Sequence, residues 1–331
     1  MIFQGKYIIL SLRITNYKEI LMKKITVLLI ALALVFGFVT GCAKEEAAAP
    51  AAEKTVEKAA EAVVEVDTVE AAANAYFADF PGNRIIPTDQ IMAKMDAGED
   101  FFLLDIRKAA DYEKGHLKGA VNAPWGPAVA EALAWLPDDK PVYVNCYSGQ
   151  TAGQATAVLN VAGIEASSVK YGYNLGIAKT EGVDAYITTD VTAAPDATGV
   201  KYDADIKAAV EGYFNAIPDK GSNIWPASKV KEALDAEEIT TIVSIRQQDA
   251  YDAGHIEGAT LIPWGKGMQE KFNVLPKDET FVVHCYSGQT AGQTVAIMRL
   301  LGYDAVSLKS GMGTSGTGDS GWANEGFPVV Q

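Results

Sequence analysis

Cys146-Tyr147-Ser148-Gly149-Gln150-Thr151-Ala152-Gly153-Gln154 occurs twice in this chain, returning unchanged as Cys285-Tyr286-Ser287-Gly288-Gln289-Thr290-Ala291-Gly292-Gln293. Each copy follows a short β-branched and aromatic run, Pro141 to Asn145 and Thr280 to His284, which reads as a strand. Each precedes a run with helical period: Ala155, Val158, Leu159 and Ala162 share one face in the first copy, and Thr294, Ile297, Met298 and Leu301 in the second. Thr151 with Gln154, and Thr290 with Gln293, have capping-box spacing, which predicts helices that begin at the threonines. Each cysteine is therefore expected on a tight turn between a strand end and a helix N-terminus. There, free backbone N–H groups and the helix dipole favour thiolate and stabilise an anion built on the sulfur. The plain alternative is a strand-to-helix joint around a buried, inert cysteine. Identical nonapeptides with variable flanks, in a chain of three cysteines, favour chemistry.

The repetition extends beyond the nonapeptide. Arg107, His116, Trp125 and Cys146 recur 139 residues later as Arg246, His255, Trp264 and Cys285, and Pro87 to Arg107 aligns with Pro226 to Arg246 without a gap. Two copies of one domain follow, residues 74–187 and 202–331, joined by an Ala, Pro, Asp, Thr and Gly linker at 188–201. In the first copy, helices are predicted at Thr88 to Ala97 and Pro127 to Leu136. Strands are predicted at Phe101 to Ile106, Ala120 to Ala123, into Cys146, and Ser167 to Tyr171. This alternation predicts an α/β fold, each domain a parallel sheet with helices on both faces and the cysteine loop at the carboxyl end of a central strand.

Leu103-Leu104-Asp105-Ile106-Arg107, then Asp111-Tyr112-Glu113-Lys114-Gly115-His116 through Asn122-Ala123-Pro124, then a strand ending in Cys146, resemble the rhodanese homology domain. The second copy is similar through Ser244-Ile245-Arg246, Gly254-His255-Ile256-Glu257-Gly258-Ala259 and the tail with Trp322 and Gly326-Phe327-Pro328-Val329. The resemblance implies a tandem sulfurtransferase. Cys146 and Cys285 would carry a sulfane sulfur as a persulfide, cradled by Tyr147, Ser148, Gly149, Gln150 and Thr151 and by Tyr286, Ser287, Gly288, Gln289 and Thr290, with no metal or other cofactor. Thiosulfate-specific members place basic residues directly after the cysteine. Here those positions hold Tyr147-Ser148 and Tyr286-Ser287, so polysulfide or organic persulfides are expected as better donors than thiosulfate.

Trp125, Trp264, Tyr147 and Tyr286 are candidates for an apolar pocket, with simple packing as the alternative. Arg107 and Arg246 are further pocket candidates that read first as scaffold, and Arg246 is the freer because Ser244 replaces Asp105. His284 adjoins Cys285, but consecutive strand residues face opposite sides, so it is not read as a base. His116 and His255 belong to the Gly-His turn of the family, and the Ser310 to Gly321 run reads as a flexible loop. A cysteine phosphatase would need Arg at 152 or 291, and both are Ala. The alternative function is a non-catalytic lipoprotein that binds sulfur species or a redox partner.

The beginning of the chain carries an address. After an uncertain leader, residues 1–21, a basic start at Met22-Lys23-Lys24 and an apolar run form a signal segment, residues 22–41. Val39-Thr40-Gly41-Cys42 resembles a lipobox with Cys42 as the lipidated residue, and residues 42–73 are an Ala, Glu and Lys tether. The expected location is extracytoplasmic, anchored to the cell envelope, with the outer membrane favoured over the inner. A net charge of −14 argues against nucleic acid. Partners are expected among small sulfur compounds, the membrane, and a redox or sulfur-acceptor protein.

Overall fold

Short β-branched runs alternating with helical runs build two sheets of the same design. The computed structural model describes residues 67–80 and 82–331, so the leader, the signal segment, Cys42 and the tether up to residue 66 lie outside the described residues. The first half runs α1 (Thr68–Ala78), β1 (Ile85–Ile86), α2 (Thr88–Asp96), β2 (Phe102–Asp105), α3 (Ala109–Tyr112), β3 (His116–Leu117), β4 (Val121–Asn122) and α4 (Pro127–Ala132). It continues through β5 (Val142–Asn145), α5 (Gln150–Val161), β6 (Ala166–Val169) and β7 (Ile187–Thr188). The second half runs α6 (Ala204–Asn215), α7 (Ile217–Lys220), β8 (Ile224–Trp225), α8 (Ala227–Asp235), β9 (Ile242–Ser244), α9 (Gln248–Ala253), β10 (Thr260–Leu261), β11 (Phe281–His284), α10 (Gln289–Leu300) and β12 (Ala305–Leu308).

The sheets have equivalent orders, β1-β6-β5-β2-β4 and β8-β12-β11-β9-β10, and every neighbouring pair in them is parallel. The strands that lead into the cysteines, β5 and β11, are central and buried along their whole length. Alternation along the strands divides the core. Leu103 and Tyr143 face an outer cluster with Ile91 and Tyr112, while Leu104, Val142 and Val144 face inward. That inner cluster is shared: it continues through α5 and α10 to Phe281, Val283 and Val243 of the second sheet.

The helix after each cysteine is consequently buried on nearly all sides rather than on the single face the periodicity predicts. Small residues permit the approach. A Cβ on Gly153 would stand 2.5 Å from the Gln289 carbonyl oxygen, and one on Gly292 would stand 2.5 Å from that of Gln150.

The boundaries expected at 74 and 202 need correction in one respect. Asp67 caps α1, its carboxylate accepting from the Val69 and Glu70 N–H groups, so this helix starts before the tether was expected to end. α1 packs on the second domain: Phe77 meets Trp264 and Phe272 edge-on, at 5.3 and 5.8 Å between centroids. α6 does the reverse, with Phe214 edge-on to Trp125 at 5.6 Å. Each domain's leading helix thus covers the other domain. The linker is also fastened, β7 pairing antiparallel with β3 and the Thr198 N–H donating to the Ala134 carbonyl. The Ser310 to Gly321 run, expected as a flexible loop, is folded on itself: Thr317 and Asn324 bond the backbone at Thr314 and Ser320.

Candidate functional site

Each cysteine ends a central strand, and the chain then turns through a left-handed glycine, Gly149 at φ 88° and Gly288 at φ 90°, before the helix begins. That geometry sets the glycine N–H inward. Gly149 and Ala152 donate to Cys146 Sγ at 3.1 and 3.3 Å, and Gly288 and Ala291 donate to Cys285 Sγ at 3.1 and 3.4 Å. Negative charge on either sulfur is met by peptide dipoles already in place, which costs no reorganisation when the charge appears. Both cysteines are free and buried, at 1% and 2% exposure. Two clefts among the described residues lie elsewhere, along α6, β8 and Arg299, and their linings include neither cysteine.

The predicted capping box does not form. The helices start at Gln150 and Gln289, one residue earlier than expected, with no side-chain cap, because Gln154 and Gln293 are committed across the domain boundary. Gln154 accepts from the Tyr213 hydroxyl at 2.6 Å and donates to the Ser222 carbonyl at 2.8 Å. Gln293 accepts from Tyr76 at 2.6 Å and donates to the Asn83 carbonyl at 2.9 Å.

The cradle predicted from the loop divides in two. Gly149 and Gly288 form it through their backbones, but the side chains of Gln150 and Gln289 leave it for the opposite domain. Gln150 donates to the Ser307 hydroxyl and the Leu308 carbonyl and accepts from the Ser310 N–H. Gln289 donates to the Ser168 hydroxyl and the Val169 carbonyl, at 2.9 and 3.0 Å, and accepts from the Tyr171 N–H at 3.0 Å. Each glutamine side chain also packs against the other loop's left-handed glycine, so neither Gly149 nor Gly288 has room for a Cβ. The Ser148, Thr151, Ser287 and Thr290 side chains make no hydrogen bond among the described residues. Tyr147 holds the loop rim by donating to Asp111 at 2.7 Å and accepting from the Lys108 N–H. Tyr286 accepts from the Gln247 N–H and is 42% exposed. The Trp125 and Trp264 rings follow the packing alternative rather than the pocket one, seated against α6 and α1.

Gly172 and Gly311 were not singled out from the sequence, yet they floor the two sites. Both have positive φ, 61° and 58°, and a Cβ would fall 2.5 Å from the Cys146 carbonyl oxygen or 2.4 Å from that of Cys285. Their recurrence at the 139-residue offset was the available signal.

The arginines differ between copies. Asp105 grips the Arg107 guanidinium through three contacts of 2.7 to 3.1 Å, accepts from Asn145 at 3.0 Å, and is buried with it, while Tyr173 lies 3.7 Å beneath the guanidinium. In the second domain these partners are Ser244, His284 and Met312. Arg246 keeps a bond to the Gly254 carbonyl, and its Nε, the Ser244 hydroxyl and both His284 ring nitrogens are buried without a hydrogen-bond partner. Burial above all, then the nearby Arg246 charge, pushes the His284 imidazole down to about 3, so it is neutral at ordinary pH. His116 is structural, stacked on Tyr112 and bonded to the Tyr112 and Asp190 carbonyls.

The family profile described as Rhodanese-like domain matches residues 88–178 and 226–313. A curated relative, "Probable adenylyltransferase/sulfurtransferase MoeZ" of Mycobacterium tuberculosis, is 32% identical over 99 residues, 28% of this chain and 24% of that protein. The chain thus spans about a quarter of that relative's length. Among solved structures, a rhodanese-like domain protein from Staphylococcus aureus is 25% identical, covering 33% of this chain and 98% of that one at a TM-score of 0.27. SseA from Escherichia coli, described as a 3-mercaptopyruvate sulfotransferase, is 18% identical over 69% of this chain and 97% of that one, at a TM-score of 0.32.

Proposed function

Because the chain belongs to the rhodanese-like domain family in both halves, we propose that it is a sulfurtransferase that moves sulfane sulfur through persulfides on Cys146 and Cys285. The observation that carries this reading is the pair of backbone N–H groups aimed at each sulfur. With an organic persulfide, the cysteine thiolate attacks the terminal sulfur of R–S–SH, a new S–S bond forms as the donor's S–S bond breaks, and R–S⁻ leaves as a thiolate. The new Cys–S–SH then gives its proton to that thiolate, leaving Cys–S–S⁻ and R–SH. A nucleophilic acceptor, a small thiol or a sulfur-acceptor protein, attacks the outer sulfur and returns the thiolate. Peptide N–H groups suffice to hold the anion at each stage.

Polysulfides and organic persulfides are the donors we favour over thiosulfate. The two positions directly after each cysteine, Tyr147-Ser148 and Tyr286-Ser287, hold no basic residue to pair with the second charge of a doubly charged donor. Intact-mass measurement on the wild type and on Cys146→Ser and Cys285→Ser, after polysulfide or thiosulfate, tests this. One added sulfur per remaining cysteine with polysulfide is expected. No added mass with either donor would refute the transfer reading and leave a sulfur-binding lipoprotein, which the near-complete burial of both thiols favours as second reading.

We further propose that Cys42 is lipidated and holds the protein on the extracytoplasmic side of the envelope, the outer membrane before the inner. Membrane fractionation of cells expressing Cys42→Ala checks this: release into the soluble fraction supports it, and unchanged membrane association counts against it.

A further inference from the structure

The two sites share one loop but not one electrostatic setting. In the first, Arg107 is neutralised by the Asp105 carboxylate at 2.7 Å, and Asp111 holds Tyr147 at the rim. The second copy replaces both carboxylates, Asp105 by Ser244 and Asp111 by Ala250. No acidic side chain among the described residues lies within ion-pair distance of Arg246. The acids on α9 are occupied locally, Asp249 by the Ala250 N–H and Asp252 by Gln248. Arg246 is nonetheless only 6% exposed, and its guanidinium carbon lies 6.0 Å from the ring centre of Tyr286, the residue directly after the nucleophile. Water therefore screens this charge poorly, and neither its hydrogen-bond partner, the Gly254 carbonyl, nor neutral His284 carries a charge to cancel it. Burial lowers the pKa of Arg246, with Tyr286 and Cys285 acting in the opposite sense.

We propose that Arg246 is a specificity-determining residue: its unneutralised charge makes the Cys285 site selective for anionic donors, such as hydropolysulfide, whereas the Cys146 site does not select by charge. This rests on the transfer reading above and adds a division of labour, with Cys285 the preferred entry point for anionic sulfur.

The test uses two alkylating probes of nearly equal size and different charge, iodoacetate and iodoacetamide, on the full chain. Labelling rates at Cys146 and Cys285 are read separately by peptide mass mapping at low and high salt. At low salt the iodoacetate-to-iodoacetamide rate ratio at Cys285 should exceed that at Cys146 by roughly fivefold, as one incompletely screened charge at this range implies, and salt should shrink the excess. Ser244→Asp, which supplies the first domain's carboxylate, and Arg246→Gln should each bring the Cys285 ratio down to that of Cys146. Asp105→Ser should raise the ratio at Cys146. The iodoacetamide rate serves as the check that each variant keeps its loop. Equal ratios at the two cysteines, or a Cys285 ratio that ignores both Ser244→Asp and Arg246→Gln, would overturn the proposal. Persulfide formation by intact mass keeps the readings apart: equal ratios with persulfide formed sink only the role of Arg246, and unequal ratios without persulfide sink only the transfer.

Discussion

His284 pairs in register with Ser244 as Asn145 pairs with Asp105, so one cross-strand position has exchanged an amide that serves a carboxylate for an imidazole that serves nothing. The exchange has a measurable consequence for stability. Unfolded, this histidine takes a proton near 6.5; folded, burial delays protonation to about 3. The folded-state pKa is depressed, so between those values the unfolded chain binds more protons, and stability present above 6.5 is lost as pH falls towards 3. His284→Asn removes the titration. Urea unfolding at pH 7 and pH 5 should therefore show the wild type losing roughly 2 kcal/mol more than His284→Asn over that interval. Parallel losses in the two proteins would mean that the imidazole is solvated in a way its burial excludes.

At the scale of elements, identity between the two nonapeptides has two causes, and only one is chemistry. Cys, the left-handed glycine and the alanine N–H make the site. Gln150, Gly153 and Gln154, with Gln289, Gly292 and Gln293, make a helix crossing in which each half must supply the same shape to the other. Strand, turn and helix were legible in the sequence because period and glycine placement are local signals. The false capping box was equally local: Thr-x-x-Gln fits the spacing, and nothing nearby tells that the glutamine amide finds its partner about 70 or 210 positions away, at Ser222 or Asn83. The crossing can be weighed. Gln289→Ala leaves the Ser168 hydroxyl, the Val169 carbonyl and the Tyr171 N–H without the partner they had, and unmade buried bonds cost about 1–3 kcal/mol each, partly relieved by entering water. A loss of roughly 2–4 kcal/mol is expected in denaturant unfolding. A loss below about 0.5 kcal/mol would show that the interface is wet and that the glutamines are incidental to it.

For the whole molecule, the repeat predicted two domains and was silent on how they depend on each other. An offset of 139 residues says that a unit recurs; it carries no information about which copy a given helix covers. α1 and α6 lie at the sequence starts of their own units but bury Phe77 and Phe214 against the other one, and the inner core runs from Val142 through the paired helices to Phe281 without interruption. Cutting the chain in the linker would strip each half of its neighbour's helix and expose α5 or α10 along its close-packed side. Such a surface, apolar and lined with unpaired glutamine partners, is far more costly than the polar contact between independently stable domains. The chain should therefore unfold as one unit despite its two sheets. Calorimetry on residues 67–331 should give a single transition whose van't Hoff and calorimetric enthalpies agree. Fragments 67–201 and 202–331 should each bind a hydrophobic dye and lack a sharp melt, and mixing them should restore part of the transition. Two separate transitions in the intact chain, or a sharp melt from either fragment alone, would mean that the shared core contributes little and that the domains are joined only by sequence.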